Sequence, residues 1–222
     1  MSQHVDFEAN KLAATVGFFM EMFLSNEVIE ARNTLRQQMR ATRRHLPTSE
    51  QEQASIAVCQ QLIDLPEYQQ AQSVGAYLAA FGELDIHSLI STSWSQHKNV
   101  AVPVIDPQVQ GMMEFFELRE NSAMQVNQFG LSEPCPTQNS KVAPEHIELL
   151  CVPLVAFDTT GQRLGMGGGY YDRLLSRWQN GTLGNLYPVG IAHDCQFVDS
   201  LPSAPWDVPL PMIITPSKTW RF

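Results

Sequence analysis

Apolar positions follow two rhythms along this chain, and the alternation between them predicts its fold. Residues 149–157 (LLCVPLVAF) are apolar almost without a break, as in a strand covered on both faces. Residues 73–78 (SVGAYL), 99–105, 188–192 and 212–215 are shorter runs of the same kind, with 212–215 as the last strand, and 112–118 alternates enough to be a strand. Between these runs the spacing turns helical. Residues 27–45 place Val28, Leu35 and Met39 on one side, and Arg32, Arg36 and Arg40 recur every four residues on another. A second helix opens after Pro47, with Thr48 and Gln51 at capping-box spacing, and runs through Ile56, Val58, Leu62 and Ile63. A third covers 86–97 with Asp85 as its N-cap, and Tyr171, Leu174, Leu175 and Trp178 form the apolar face of a fourth. Residues 129–144, rich in turn formers, read as an ordered surface loop. Strands alternating with helices predict a three-layer α/β fold: a mostly parallel open sheet flanked by helices, Rossmann-like.

Size and composition narrow the class. A chain of 222 residues with 44% hydrophobic and 17% charged positions is globular and long enough for one α/β domain with an extension. Residues 12–24 are the most apolar part of the N-terminus. Glu21 interrupts them, and Asp6 and Glu8 stand where a signal peptide carries positive charge, so residues 1–28 read as a helical extension and 29–222 as a single domain. No stretch is long enough to span a bilayer. The net charge of −9 argues against a nucleic-acid partner. Four scattered cysteines without a CxxC pair point to reduced thiols and a cytoplasmic location. Nothing in the sequence demands an oligomer, so a monomer is expected.

The candidate chemistry centres on Arg163-Leu164-Gly165-Met166-Gly167-Gly168-Gly169-Tyr170-Tyr171-Asp172, between the 149–157 strand and a helix. Strand, glycine-dense turn and helix is a phosphate-binding order, because glycine backbone and the free N–H groups of a helix start approach an anion closely. Arg163 is the nearest cation. The alternative is a tight turn that needs only positive φ. No Gly-Lys-Ser/Thr follows, which excludes a Walker loop, and the GxGxxG frame ends on Tyr170, which disfavours a dinucleotide site. Asp172, in the first helical turn, either complements the helix dipole or holds Mg2+. Tyr170 and Tyr171 offer ring faces to a flat substrate, one of them being core. Five of the fourteen basic residues (Arg32, Arg36, Arg40, Arg43, Arg44) fall between positions 32 and 44, either as a solvated face or as guanidiniums aimed at phosphates. Glu83 lies in a loop just past the carboxyl end of the first strand, solvated or facing a ligand.

The block from Arg163 to Asp172 resembles the signature of the 5-formyltetrahydrofolate cyclo-ligase (methenyltetrahydrofolate synthetase) family. The resemblance extends from about residue 29 to 216, through Arg32-x-x-Leu35-Arg36, Leu78, Glu83, Gly190-Ile191-Ala192 with Gln196, Trp206-Asp207-Val208 and Ile213-Ile214-Thr215. It implies an enzyme using ATP and Mg2+ to close 5-formyltetrahydrofolate to 5,10-methenyltetrahydrofolate. Carried over by position, Arg32, Arg36, Arg163, Leu164, Gly165, Met166, Gly167, Gly168, Gly169, Tyr170 and Tyr171 contact ATP. Leu78, Glu83 and Met166 through Tyr170 border the folate, Arg163 and Tyr170 serve catalysis, and Asp172 holds the metal. Two positions depart from the pattern. Gly168 stands where many members carry lysine, and Pro211 where a second metal-associated aspartate is expected; Asp207 is the nearest carboxylate. A noncatalytic module binding phosphorylated metabolites or nucleotides is the alternative.

Overall fold

The computed structural model describes residues 25–105, 111–128 and 130–222; the apolar segment 12–24 and most of the predicted extension lie outside them. Helix α1 (Asn26–Arg44) starts on Ser25, whose Oγ accepts the Val28 N–H at 3.4 Å. It is followed by α2 (Thr48–Ile63), α3 (Pro66–Gln70), β1 (Ser73–Gly75), α4 (His87–Ser95), β2 (Asn99–Ile105), β3 (Met113–Glu117), β4 (Met124–Val126), β5 (Ser132–Pro134) and β6 (Lys141–Val142). Then come β7 (Leu149–Pro153), β8 (Ala156–Phe157), β9 (Arg163–Leu164), α5 (Tyr170–Gln179), β10 (Tyr187–Ile191), β11 (Met212–Thr215) and β12 (Lys218–Arg221).

Eight strands form the main sheet in the order β12-β11-β10-β7-β1-β2-β3-β6. The central five, β11 to β2, run parallel; β12 and β3 run antiparallel to them on either side, and β6 pairs antiparallel with β3 at the edge. Along β7 the side chains alternate between two buried cores, because successive strand residues point to opposite faces. Leu149 and Cys151 join the core built with Val58 and Leu62 of α2 and Leu89 and Ile90 of α4. Leu150 and Val152 join the one built with Leu174 and Leu175 of α5. The expected three layers are therefore present.

Several local expectations are corrected. The 149–157 run is not one strand: pairing in the sheet ends at Pro153, and β8 turns back on β9 as a separate hairpin. Its apolar character survives because Ala156 and Leu164 are buried with Leu201 beneath Leu35 and Met39 of α1. The run therefore reported coverage rather than strand continuity. In the 73–78 run only Ser73–Gly75 pairs on both sides, and Ala76 adds one bond to the Ala101 carbonyl at 2.8 Å. No Thr48–Gln51 capping box forms; Pro47 is the N-cap, and Gln51 donates to the Leu46 carbonyl at 2.8 Å. Asp85 lies one residue before the N-cap Ile86, although its Oδ1 still accepts the His87 N–H at 2.8 Å. The 129–144 loop contributes β5, which pairs with β4, and β6, which joins the sheet. The last strand is β12 rather than 212–215, and α3 was not expected; both are too short to carry a periodicity of their own.

Candidate functional site

Between β1 and β7 the strand order reverses: the chain leaves β1 towards β2 on one side, and passes from β7 to β10 and β11 on the other. The crevice outside the carboxyl ends of parallel strands at such a reversal is the natural ligand site of an open α/β sheet. β1 delivers the loop carrying Glu83 there, and β7, through the β8–β9 hairpin, delivers the glycine loop. Two stretches some eighty residues apart in sequence therefore frame one crevice.

Helix α1 lies across this edge, and its basic stripe faces inward. Arg32, Arg36, Arg43 and the apolar Leu35 and Met39 fall within one sector of the helix, since eleven residues return the chain to within about 20° of the same direction. The sequence reading of separate apolar and basic sides is thus corrected to one mixed buried face. Arg32 is 6% exposed: Nη1 donates to Asp207 Oδ2 at 2.5 Å and to the Pro202 carbonyl at 2.8 Å, and Nη2 donates to Asp207 Oδ1 at 2.8 Å. A bidentate, desolvated pair of this kind fixes the helix. Asp207 is committed there, where it also accepts the Ala204 N–H at 2.7 Å. Arg36 alone of the three reaches the glycine loop, its Nε donating to the Gly165 carbonyl at 2.9 Å. Burial and the charge of Arg32 lower the Arg36 pKa from its ordinary value, while Asp172 and Asp207 favour the charged form.

Arg163, on β9, is buried and paired with Asp172, Nη2 to Oδ1, at 2.5 Å; its Nε is buried without a partner. Gly167 (φ 104°) and Gly169 (φ 69°) hold left-handed backbone that other residues rarely adopt, so the loop turns sharply into α5. Gly169 is the N-cap of α5, and no side chain caps that helix start. Its first N–H groups have no acceptor within the helix, which suits an incoming anion. Arg173 staples the loop from behind, its Nη1 donating to the carbonyls of Gly168 at 3.1 Å and Gly111 at 3.2 Å. At Gly168 an added Cβ would stand 2.4 Å from the Tyr170 ring, so the ring lies over bare backbone. Tyr171 packs against the α5-side core, with its hydroxyl buried and unpartnered. Burial chiefly, and then Glu83, push that hydroxyl's pKa well above its ordinary value.

On the other wall, Phe81 (φ 54°) and Gly82 (φ 78°) are consecutive left-handed residues. Arg40 and Arg44 lie 5.8 and 5.6 Å from the Phe81 ring centroid, over the ring. Glu83 Oε2 accepts the Ala80 N–H at 3.1 Å, and Oε1 sits 3.5 Å from Arg43 Nη2. Burial raises the pKa of this carboxyl above the ordinary range, and Arg43 opposes the rise. Beside the loop, Tyr77, Leu78, Asp85, His87 and Ile90 line a cavity of about 520 Å³ closed by Met124, Leu131 and Ser132 of the β4–β5 hairpin region. That volume is within the range of small-molecule sites.

Residues 28–216 match the profile of the 5-formyltetrahydrofolate cyclo-ligase family. The chain belongs to that family. It is 39% identical over 181 residues to the 5-formyltetrahydrofolate cyclo-ligase of Haemophilus influenzae, covering 82% of this chain and 95% of that one. To the Escherichia coli K12 cyclo-ligase it is 38% identical over 184 residues, covering 83% and 100%. The Aquifex aeolicus 5,10-methenyltetrahydrofolate synthetase structure superposes with a TM-score of 0.74 at 30% identity, covering 86% of this chain and 92% of its own. The chain is accordingly an enzyme of the cyclo-ligase family, with that family's α/β architecture.

Set in a cyclo-ligase, the predicted residues sort by position. Arg36, Arg163, the glycine loop and Tyr170 meet at one wall, Leu78 and Glu83 lie on the other, and Tyr171 is the one of the two tyrosines that turns into the core. Arg32 is drawn away onto Asp207. Among the described residues no three His, Cys, Asp or Glu side chains gather around a common point. Asp172 is the acidic residue of the first turn of α5, and one of its oxygens is taken by Arg163. These residues do not form a resident metal cage. An ion here would draw its ligands mainly from substrate phosphates and water. No helix among the described residues is long and apolar enough to cross a membrane. The sequence placed Arg43 only within the basic cluster, as solvated or aimed at phosphates, whereas its guanidinium lies on the Phe81 and Leu154 carbonyls and beside Glu83. The sequence reading assigned no role to Arg173, which bonds both the neighbouring Gly168 carbonyl and the distant Gly111 carbonyl.

Proposed function

We propose that this cyclo-ligase uses MgATP to activate the formyl oxygen of 5-formyltetrahydrofolate. The formyl group on N5 is an amide, whose oxygen leaves poorly. Its attack on the γ-phosphorus releases ADP and gives an imino-phosphate. N10 then attacks the formyl carbon, phosphate departs with the former formyl oxygen, and N10 gives up its proton, leaving the 5,10-methenyl product. Phosphoryl transfer of this kind needs positioning and charge neutralisation more than a protein nucleophile. Mg2+ enters with the nucleotide and neutralises its phosphates.

The observation that carries this reading is the pairing of two walls at the strand reversal. One is an anion-suited glycine loop with Arg36 and Arg163; the other is a half-buried carboxylate beside a small-molecule cavity. In this proposal the loop N–H groups and both guanidiniums hold the phosphates, and Asp172 keeps Arg163 aimed at them. Tyr170 lies between nucleotide and folate. Glu83 accepts the adjacent N–H donors of the pterin, which a carboxylate can take in pairs. Arg32 serves by anchoring α1 through Asp207 rather than by touching ATP.

The test is turnover of 5-formyltetrahydrofolate carrying a heavy-oxygen formyl label, with ATP and Mg2+. Methenyl-folate should accumulate in step with ADP, and the label should appear in inorganic phosphate. Label remaining in water or folate would overturn the phosphorylated intermediate. Binding of both ligands without any product would favour the noncatalytic module instead.

A further inference from the structure

We propose that Arg43 is the positioning residue of the folate wall: from inside α1 it holds residues 81–83 and the Glu83 carboxylate in the orientation that receives the pterin. This rests on the reading of Glu83 as the pterin acceptor.

Arg43 is fully buried, and its guanidinium spans three segments. Nε donates to the Phe81 carbonyl at 3.1 Å, Nη1 donates to the Leu154 carbonyl at 3.1 Å, and Nη2 faces Glu83 Oε1 at 3.5 Å. One side chain therefore ties the β1 loop to the carboxyl end of β7, the two sides of the strand reversal. Gln196 Nε2 donates to the same Leu154 carbonyl at 2.7 Å, so this anchor point is itself held in place. Ala80 to Glu83 is a tight turn closed by the Glu83 N–H on the Ala80 carbonyl at 3.0 Å, and its two central residues are left-handed; at Phe81, which has a Cβ, that conformation is strained. The Arg43 bond to the Phe81 carbonyl and the stacking of Arg40 and Arg44 on its ring hold the strained residue from outside the turn.

Nη2 makes no hydrogen bond and is satisfied only by the charge of Glu83. A buried guanidinium left in that state is costly, and it draws the facing carboxylate to remain ionised. The groups facing Glu83 are Arg40 and Arg43 from α1, Tyr77 beyond β1 and Tyr171 from α5. His193, after β10, adjoins Arg43 and Gly82. Burial raises the Glu83 pKa and Arg43 is the largest influence opposing it, so loss of Arg43 lets that pKa rise further.

The experiment measures equilibrium binding of 5-formyltetrahydrofolate and, separately, of MgATP across pH in the full-length wild-type enzyme, Arg43→Met, Arg43→Lys and Glu83→Gln. Wild-type folate affinity should fall towards acid as Glu83 takes up a proton. Arg43→Met should weaken folate binding by about tenfold or more and move that acid limb upward by about one pH unit, with MgATP affinity changed less than about threefold. Arg43→Lys keeps a charge without the planar fork. It should hold the limb near the wild-type position while still weakening folate binding. Equal weakening of both ligands by Arg43→Met, or an unmoved limb, would reduce Arg43 to a structural role. If Arg43→Met does not fold, Arg43→Lys decides: loss confined to folate supports the proposal, and equal loss overturns it. Glu83→Gln should weaken folate binding and abolish the limb. If it leaves folate binding intact, the assignment of Glu83 fails, an outcome distinct from failure at Arg43.

Discussion

At the scale of single residues, the two arginines of the nucleotide wall differ in what surrounds them. Arg36 gives Nε to the glycine loop and Nη1 to Asn33 Oδ1 at 2.8 Å, which leaves Nη2 to turn towards a phosphate. Replacing it by methionine removes charge-assisted bonds of about 1.5–3 kcal/mol. The ATP KM should rise on the order of tenfold to a hundredfold, with the folate KM changing far less; steady-state kinetics with each substrate varied in turn checks this. Gly168 has a different logic. A Cβ at this position would run into the Tyr170 ring. The ring can yield, at a rotamer cost on the order of 1 kcal/mol. Gly168→Ala should therefore raise the folate KM about fivefold while the melting temperature barely moves. An unchanged folate KM would show that Tyr170 does not need its present position.

At the scale of elements, α1 works as a strap rather than as a layer of the fold. Its apolar Leu35 and Met39 cover the β8–β9 hairpin, and its arginines hold three separate loops. The Arg32–Asp207 pair is its anchor near the N-terminal end, with side chains 7% and 5% exposed. Removing one partner of such a pair leaves a buried charge, at a cost of about 3–5 kcal/mol. Asp207→Ala should lower unfolding free energy by about that amount in denaturant titrations, and Arg32→Met with Asp207→Leu should recover most of it. A loss in the double variant as large as in the single one would mean that the pair is not the anchor. The helix was legible from its spacing, and so was its basic content. Its direction of facing was not, because a stripe of arginines reads as solvated until their carbonyl and carboxylate partners, up to 175 residues away, are in place.

At the scale of the whole molecule, the strand reversal gathers the site, and the same gathering buries titratable groups with opposite consequences. His193 is buried with its Nε2 unpartnered, and burial lowers its pKa below the ordinary 6.5. As pH falls through that ordinary value, the unfolded chain takes up a proton that the folded one refuses, so His193 withdraws stability on the acid side. Glu83, with its pKa raised, does the reverse: the folded chain takes up its proton first, and stability is gained as pH falls through the raised value. Thermal unfolding followed below about pH 6.5 should show a steeper loss in the wild type than in His193→Gln. Parallel curves would show that the burial of His193 does not control its ionisation.

The chain's local patterns alone determined the layered α/β class, most of the strand cores, and that a glycine-dense turn leads into a helix. They could do so because side-chain periodicity and glycine conformation are properties of neighbouring residues. What only the tertiary structure decided was pairing over distance. The 149–157 run became a strand and a hairpin, since apolar content records burial whatever covers it. Asp172 met Arg163 through one of its oxygens, and Asp207 met Arg32 through both. Arg43, read from the sequence only as one of a basic cluster, bonds the Phe81 and Leu154 carbonyls on the two sides of the strand reversal. A guanidinium acquires a role only from the groups that desolvate and face it, and those are brought together by the order of strands in the sheet.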